Sequence, residues 1–407
     1  MTFKTALLAG SATFLLGQAA AAQTEITFIN CGGNDGPVPE VQNADVAEWE
    51  AANPDYKVVQ EYVPWGQCEE KAITLASAGD PAGLAYLGSR TLPQLSEAGL
   101  ILPIEMSEEE QASYEPSVLS TVQFNGEIWG LPRAFSTQGI FWNKGLFEEA
   151  GLDMPEGPKT FDDMLAAGKA ISENTDARAF GLPAASFDNT MHAFLAFMYA
   201  NGGEVVNADG EVVFNSPEVV ETFQFYKDMA AFSQDGPVAY DRGKLEPLFQ
   251  EGQIAMLMQS FGFRDRTGDV DYGLAWIPTG PSGNADSHAT LLITDSLAVF
   301  SGSGVEEGAM SLAKFLTETD RQANFDDVAG WTPIRETDTS RALIGKDPNW
   351  EFFLGSIADG GPEPQIVDYV ALQDVMNEAI QGVVLGEVSP EEAAEDVAKE
   401  LEDLVEG

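Results

Sequence analysis

Aromatic side chains at Trp65, Phe135, Trp142, Phe261, Trp276 and Trp331 recur at loops or strand ends, with polar companions at Asn34, Gln67, Ser89, Arg90, Asp188, Asn189, Asp295 and Arg335. A flat ring stacks on C–H surface, while amides, hydroxyls and carboxylates exchange hydrogen bonds with a hydroxyl rim. Together these types suit recognition of a small molecule that offers both surfaces. Trp65 and Trp331 adjoin Gly or Pro outside regular elements, which favours a cleft position. Trp142 alternates with Ile140 inside a strand and Trp276 closes another, so core and cleft are both open there; Trp49 and Trp129 read as core. Arg90 and Arg335 suit bidentate recognition of a carboxylate or sulfonate, or an ion pair among the many acids. Asp295, in Thr294-Asp295-Ser296, accepts ligand hydroxyls or caps a turn. His192, on an apolar helix, reads as structural.

Reaction chemistry is poorly provided for. The chain holds no GxSxG elbow, P-loop or HExxH, and its two histidines, His192 and His288, fall in no recognisable constellation. A metal site would need more ligands, and no cofactor is expected. A glycosidase needs only two carboxylates, so composition alone leaves that class open. The charge is extreme, with 20 Lys and Arg against 66 Asp and Glu, a formal −46. Such a field repels nucleic acid and anionic lipid. Spread along the whole chain, the acids read as a solvated surface suited to a salty habitat; attraction of a cationic ligand is the other reading.

Residues 1–22 carry Lys4, an apolar run from Ala6 to Leu16 and Ala20-Ala21-Ala22 before Gln23. This is the layout of an export signal cleaved before Gln23, and its run is too short to anchor in a bilayer. An exported, periplasmic protein without stable membrane insertion is expected. Cys31 and Cys68 then meet an oxidising compartment, where a lone pair is commonly a disulfide. Each follows a predicted strand, and successive parallel strands place their loops on one edge. Free thiols are the alternative, and intact mass with and without reductant separates the two.

The length, 407 residues, suggests two domains or lobes. The first hundred mature residues alternate strands at 25–30, 57–63 and 84–87 with helices at 41–52, 69–78 and 92–98. This rhythm predicts a parallel sheet flanked by helices, whose ligands bind beyond the carboxyl ends of the strands. Downstream, Thr160 caps a helix over 161–174, Ser216 with Pro217 opens another, and 204–206 with 211–214 read as a hairpin. Strands are expected at 179–182, 254–258, 272–276 and 291–300, and an acidic amphipathic helix at 390–405. Breaks near 132, 280 and 331 suggest three crossings between two lobes. These divide the chain into lobe 1 (23–131 with 282–329) and lobe 2 (132–281 with 330–407).

The stretch Ile128–Asp153 is the most telling, with Leu131-Pro132 ending one strand and Phe141-Trp142-Asn143-Lys144 closing the next. It resembles the first interlobe crossing of the extracellular solute-binding proteins of ABC importers, the large family that includes maltose-binding protein. Trp49–Asp55 with Lys57-Val58-Val59, Leu75–Asp80 with Leu87–Ser89, Leu92–Pro103 and Phe249–Met258 resemble other family segments in the same order. Pro81-Ala82-Gly83 and Phe261-Gly262-Phe263 depart from it; many sugar-binding members have a Trp near the latter. The resemblance implies an α/β, two-lobed periplasmic-binding-protein fold of type II. It also implies capture of a sugar by hinge closure, no catalysis, and delivery by a monomer to importer subunits in the inner membrane. A polyamine or other cationic compatible solute in the same fold, or docking on a chemoreceptor, are the alternative readings.

Overall fold

A computed structural model describes residues 23–34, 36–207, 209–335, 341–342, 345–347 and 349–406. The expected export segment 1–22 lies outside them. Twelve strands are described, numbered β1 (Thr24–Cys31), β2 (Tyr56–Val63), β3 (Leu84–Gly88), β4 (Gln123–Phe124), β5 (Glu127–Ile128), β6 (Leu131–Ser136), β7 (Gly139–Asn143), β8 (Arg178–Gly181), β9 (Ile254–Gln259), β10 (Tyr272–Ala275), β11 (Leu291–Val299) and β12 (Gly361–Pro362). The first sheet runs β12-β11-β3-β1-β2, with β6 also paired to β11. Its β2-β1-β3 part is parallel, as the alternation of strand and helix requires. Ile26, Phe28 and Ile29 of β1 are fully buried, since helices cover both faces.

The second sheet runs β10-β7-β9-β8. Its two faces feed different cores by the twofold alternation of strand side chains. Ile140 and Trp142 point into a large cluster with Phe194, Phe197 and Phe223, while Phe141 points into a smaller one with Phe261 and Phe353. The helix Phe161–Asn174 begins where its cap predicts. Asp163 N donates to Thr160 Oγ1 and Asp163 Oδ2 accepts from Thr160 N, both at 3.1 Å. Ser216 likewise caps Pro217–Ala230.

The expected hairpin at 204–214 reduces to one bridge, Val206 to Val212. Backbone bonds flank it, from Asn207 N to Glu211 O (2.9 Å) and from Val213 N to Val205 O (3.0 Å), and Asn207 Oδ1 accepts from the backbone N–H of Asp209 (3.0 Å) and Glu211 (2.9 Å), so a side-chain turn closes a short pairing.

The chain leaves the first sheet at Ser136 and enters the second at Gly139. This is later than Leu131-Pro132 suggests. Pro132 sits within β6, opposite Ser296 where the register shifts, and an irregularity of that kind tolerates the missing N–H. The chain returns between β10 and β11, and passes a third time between Ile334, in the first sheet's core, and Trp350, in the smaller cluster.

Cys31, at the end of β1, is bridged to Cys68 with Cα atoms 5.3 Å apart. The bond spans 37 residues, so its loss in a Cys31→Ser/Cys68→Ser variant is expected to lower unfolding free energy by about 2–4 kcal/mol. A urea midpoint equal to that of the oxidised parent would show that this loop closure contributes nothing.

Candidate functional site

Between the two sheets lies a cavity of about 490 Å³. The first sheet contributes Asn30 and Tyr62 at the carboxyl ends of β1 and β2, Trp65 just after β2, and Tyr86 and Arg90 at and beyond β3. The opposite wall comes from Asp188 and His192 of the helix Asp188–Ala200 and from Asp241, Arg242 and Glu246 around the helix Arg242–Gln250. Asp295 enters from the middle of β11, opposite Gly88 of β3 and Ala134 of β6.

Arg90 follows β3 in a short 3-10 turn and is buried. Its guanidinium holds Glu69 at 2.8 Å, Asp188 at 3.4 Å and Glu363 at 3.6 Å. Gly88 makes room for this cluster, since a Cβ there would lie 2.4 Å from Arg90 Nη1 and 2.6 Å from Glu69 Oε1. Glu363 Oε1 also faces His192 Nε2 at 2.7 Å and accepts from Tyr369 Oη at 2.9 Å. Burial pushes the Glu363 carboxyl up, but Arg90, His192 and Tyr369 more than offset it and hold it below the usual carboxylate range. Burial raises the Glu69 carboxyl, with Arg90 opposing only in part.

Asp295 is a different kind of acid. Tyr86 Oη donates to its Oδ2 at 3.0 Å, and no salt bridge to it is described. Burial pushes its carboxyl up to about 7, with Arg90 opposing and Glu363 adding to the rise. Asn30 is fixed behind the cavity by Gln42, whose amide nitrogen donates to Asn30 Oδ1 and, at 3.1 Å, to Gln60 Oε1. Trp65 meets Tyr86 edge-on at 5.8 Å, leaving the cavity an aromatic corner.

Of the residues singled out from sequence, Trp65, Arg90, Phe135, Asp188, Asn189, Asp295 and Trp331 line this cavity. The rest do not. Trp142 is buried against Phe147, because its strand position faces a core. Phe261 packs edge-on to Trp350 in the smaller cluster, leaving its neighbour Ser260 at the cavity. Trp276 stacks outside, between His288 (3.4 Å) and Phe352 (5.1 Å). Arg335 lies over the Tyr114 ring and bonds its hydroxyl. Ser89 is buried against Ser296, while Asn34 and Gln67 are exposed. Gln67 points away because the helix starts at Trp65, four residues before the expected Glu69, and its first turn aims Trp65 and Gln67 in different directions.

Tyr62, Tyr86, Arg242 and Glu246 were not anticipated. Tyr62 stands at a parallel strand's carboxyl end and was within reach of that rule; Arg242 carried no motif. Among the described residues no group of three or more His, Cys, Asp or Glu is arranged to hold a metal ion. No described helix is long and apolar enough to cross a membrane.

A profile of the bacterial extracellular solute-binding protein family matches residues 37–323. A putative binding protein of Brucella abortus is 28% identical, covering 99% of this chain and 98% of its own. The sn-glycerol-3-phosphate-binding periplasmic protein of the same organism is 25% identical over 97% and 96%. An ABC transporter solute-binding protein of Thermotoga lettingae, solved with α-D-tagatose, superposes with a TM-score of 0.82 at 24% identity, covering 94% of this chain and all of its own. These relatives are binding proteins rather than enzymes, and the two-lobed fold is shared with them. The chain belongs to the bacterial extracellular solute-binding proteins.

Proposed function

We propose that this chain is the capture subunit of an ABC importer, exported with cleavage before Gln23 and acting as a periplasmic monomer. It takes a carbohydrate (a mono- or oligosaccharide, sugar alcohol or glycoside) into the cavity between its lobes, here divided near Thr137–Gln138. The observation that carries this reading is that both walls and the strand β11 furnish cavity side chains, so a solute touches all three at once. Greater affinity for a closed than for an open arrangement draws the lobes together and presents both surfaces to the membrane subunits. A volume of about 490 Å³ suits a small solute of one or two rings. Trp65 supplies a face for C–H stacking, and Asp188 and Asp295 supply acceptors for hydroxyls.

Thermal-shift screening across carbohydrates is expected to give concentration-dependent stabilisation. Trp65→Ala is expected to weaken binding of the best stabiliser about 10-fold or more. Unchanged affinity in that variant removes Trp65 from the site. Stabilisation by amino acids or polyamines with none by carbohydrates refutes the carbohydrate assignment.

A further inference from the structure

We propose that the solute taken into this cavity carries an anionic oxygen substituent, a carboxylate or a phosphate or sulfate ester, and that Arg242 selects for it. The inference rests on the cavity being the solute site and names the class of solute. In a chain with 20 basic residues against 66 acids, a guanidinium finds carboxylates easily. Arg90 holds three, Arg266 holds Glu246, and Arg321 holds Asp45, Glu48 and Glu318. Arg242 is half-buried and faces the cavity, yet among the described residues its guanidinium has no hydrogen bond and no ion pair within 4.0 Å. Its main chain is nonetheless anchored, since Asn189 Oδ1 accepts its backbone N–H at 3.1 Å. The five N–H donors of that side chain thus stand at the cavity wall with no protein acceptor among the described residues.

The acids around it are in the opposite condition. Asp188 is held by Arg90, Asp241 by Lys244 at 3.0 Å, Glu246 by Gln259 at 2.8 Å and Arg266 at 3.0 Å, and Asp295 by Tyr86. A cationic solute would meet carboxylates already engaged and two guanidinium groups, Arg90 and Arg242. A neutral hydroxyl would satisfy one or two of the Arg242 donors. An oxyanion satisfies a pair of them in the bidentate geometry that planar guanidinium favours. Burial already presses on the charge of Arg242, with Asp188 and Glu246 only partly offsetting it, so a counter-ion brought by the solute relieves a standing cost.

The test uses the mature protein and matched probes in calorimetry: glucose, glucuronate and glucose 6-phosphate; galactose and galacturonate; glycerol, glycerol 3-phosphate and glycerol sulfate. The anionic member of at least one set is expected to bind more tightly than its neutral parent, less so at high salt. Arg242→Gln is expected to collapse that anionic-to-neutral affinity ratio roughly 10–100-fold, with Arg242→Lys retaining part of it. Uronate, phosphate and sulfate arms separate the possible sources of the charge. Neutral parents binding as well as or better than every anionic member overturns the proposal and leaves the carbohydrate reading standing. An anionic preference that survives Arg242→Gln overturns the role of Arg242. Binding by a polyamine such as spermidine, with none by any probe of either kind, overturns both readings.

Discussion

Arg90→Met is expected to lower the unfolding free energy by about 3–5 kcal/mol, more than the loss of any single contact at the protein surface. The methionine fills much of the same space, so the effect reports charge rather than volume. The Arg90 side chain is 5% exposed and Glu363 is 6% exposed. Deleting the cation leaves three carboxylates facing one another with only His192 and Tyr369 as donors to Glu363, which is the uncompensated buried charge that makes one-sided removal costly. A second substitution discriminates this account from simple misfolding. In Arg90→Met/Glu363→Gln one uncompensated charge is gone, and a substantial part of the loss is expected to return.

The acid side of the stability curve gives a further readout. Glu363 has a folded-state pKa below its unfolded value. Its stabilisation is therefore present above the unfolded carboxylate pKa and is lost as pH falls through the lower folded value. That acid lability is expected to shrink in Arg90→Met. An unfolding free energy within about 0.5 kcal/mol of the parent, at unchanged urea slope, would remove Arg90 from any structural role.

The cluster also shows what could be read from the chain. The parallel pairing of β1, β2 and β3, the capped helix at Phe161–Asn174 and the disulfide follow from local rules: alternating strand and helix, a Thr-x-x-Asp box, and one cysteine following each of two parallel strands. Asp295 and Arg90 were visible as scarce or oddly placed charges. Their meaning was not, because it depends on Glu363, which lies 273 positions from Arg90 in sequence and arrives beside it only when β12 joins β11.

The core position of Trp142, left open by its strand pattern, has a related cause, whereas Phe261 lies past the sheet in a 3-10 turn packed on Trp350. The second sheet is buried on both faces, so every residue of β7 before Asn143 faces a core and alternation gives no exposed side to find. Composition cannot report that a sheet has two covers. A lone arginine after Tyr240-Asp241 forms no sequence pattern; the significance of Arg242 lies in the partners it lacks, which the chain shows only once folded.

Asp295→Asn is expected to be more stable than the parent at pH 8 and to lose that advantage as the pH falls towards 4. The folded-state pKa of Asp295 is raised from 3.8 to about 7. For an acid shifted upward the sign is the reverse of the Glu363 case. The protonated form is the one the fold prefers, so the stability linked to this group is complete below the unfolded pKa. It drains away as pH rises from about 4 and stays lost above about 7. At roughly 1.4 kcal/mol per pK unit the full difference is at most about 4 kcal/mol. Asparagine keeps an acceptor for Tyr86 without the charge, so its stability is free of this dependence.

Urea midpoints of both proteins at pH 4.5, 6 and 8 check the expectation, and a constant difference across that range would mean that Asp295 ionises as freely in the fold as in the unfolded chain. A carboxylate that weakens its own fold at neutral pH, 9% exposed at the floor of a cavity, is a residue whose retention needs a reason outside stability. The reason consistent with its position is the solute. A carboxylate accepts from two hydroxyls at once where a carboxamide accepts through one oxygen. The same Asp295→Asn variant is therefore expected to bind the best carbohydrate stabiliser of the parent about 10-fold or more weakly at pH 8. Equal affinity in the two proteins at pH 8 would separate the strain at Asp295 from solute recognition.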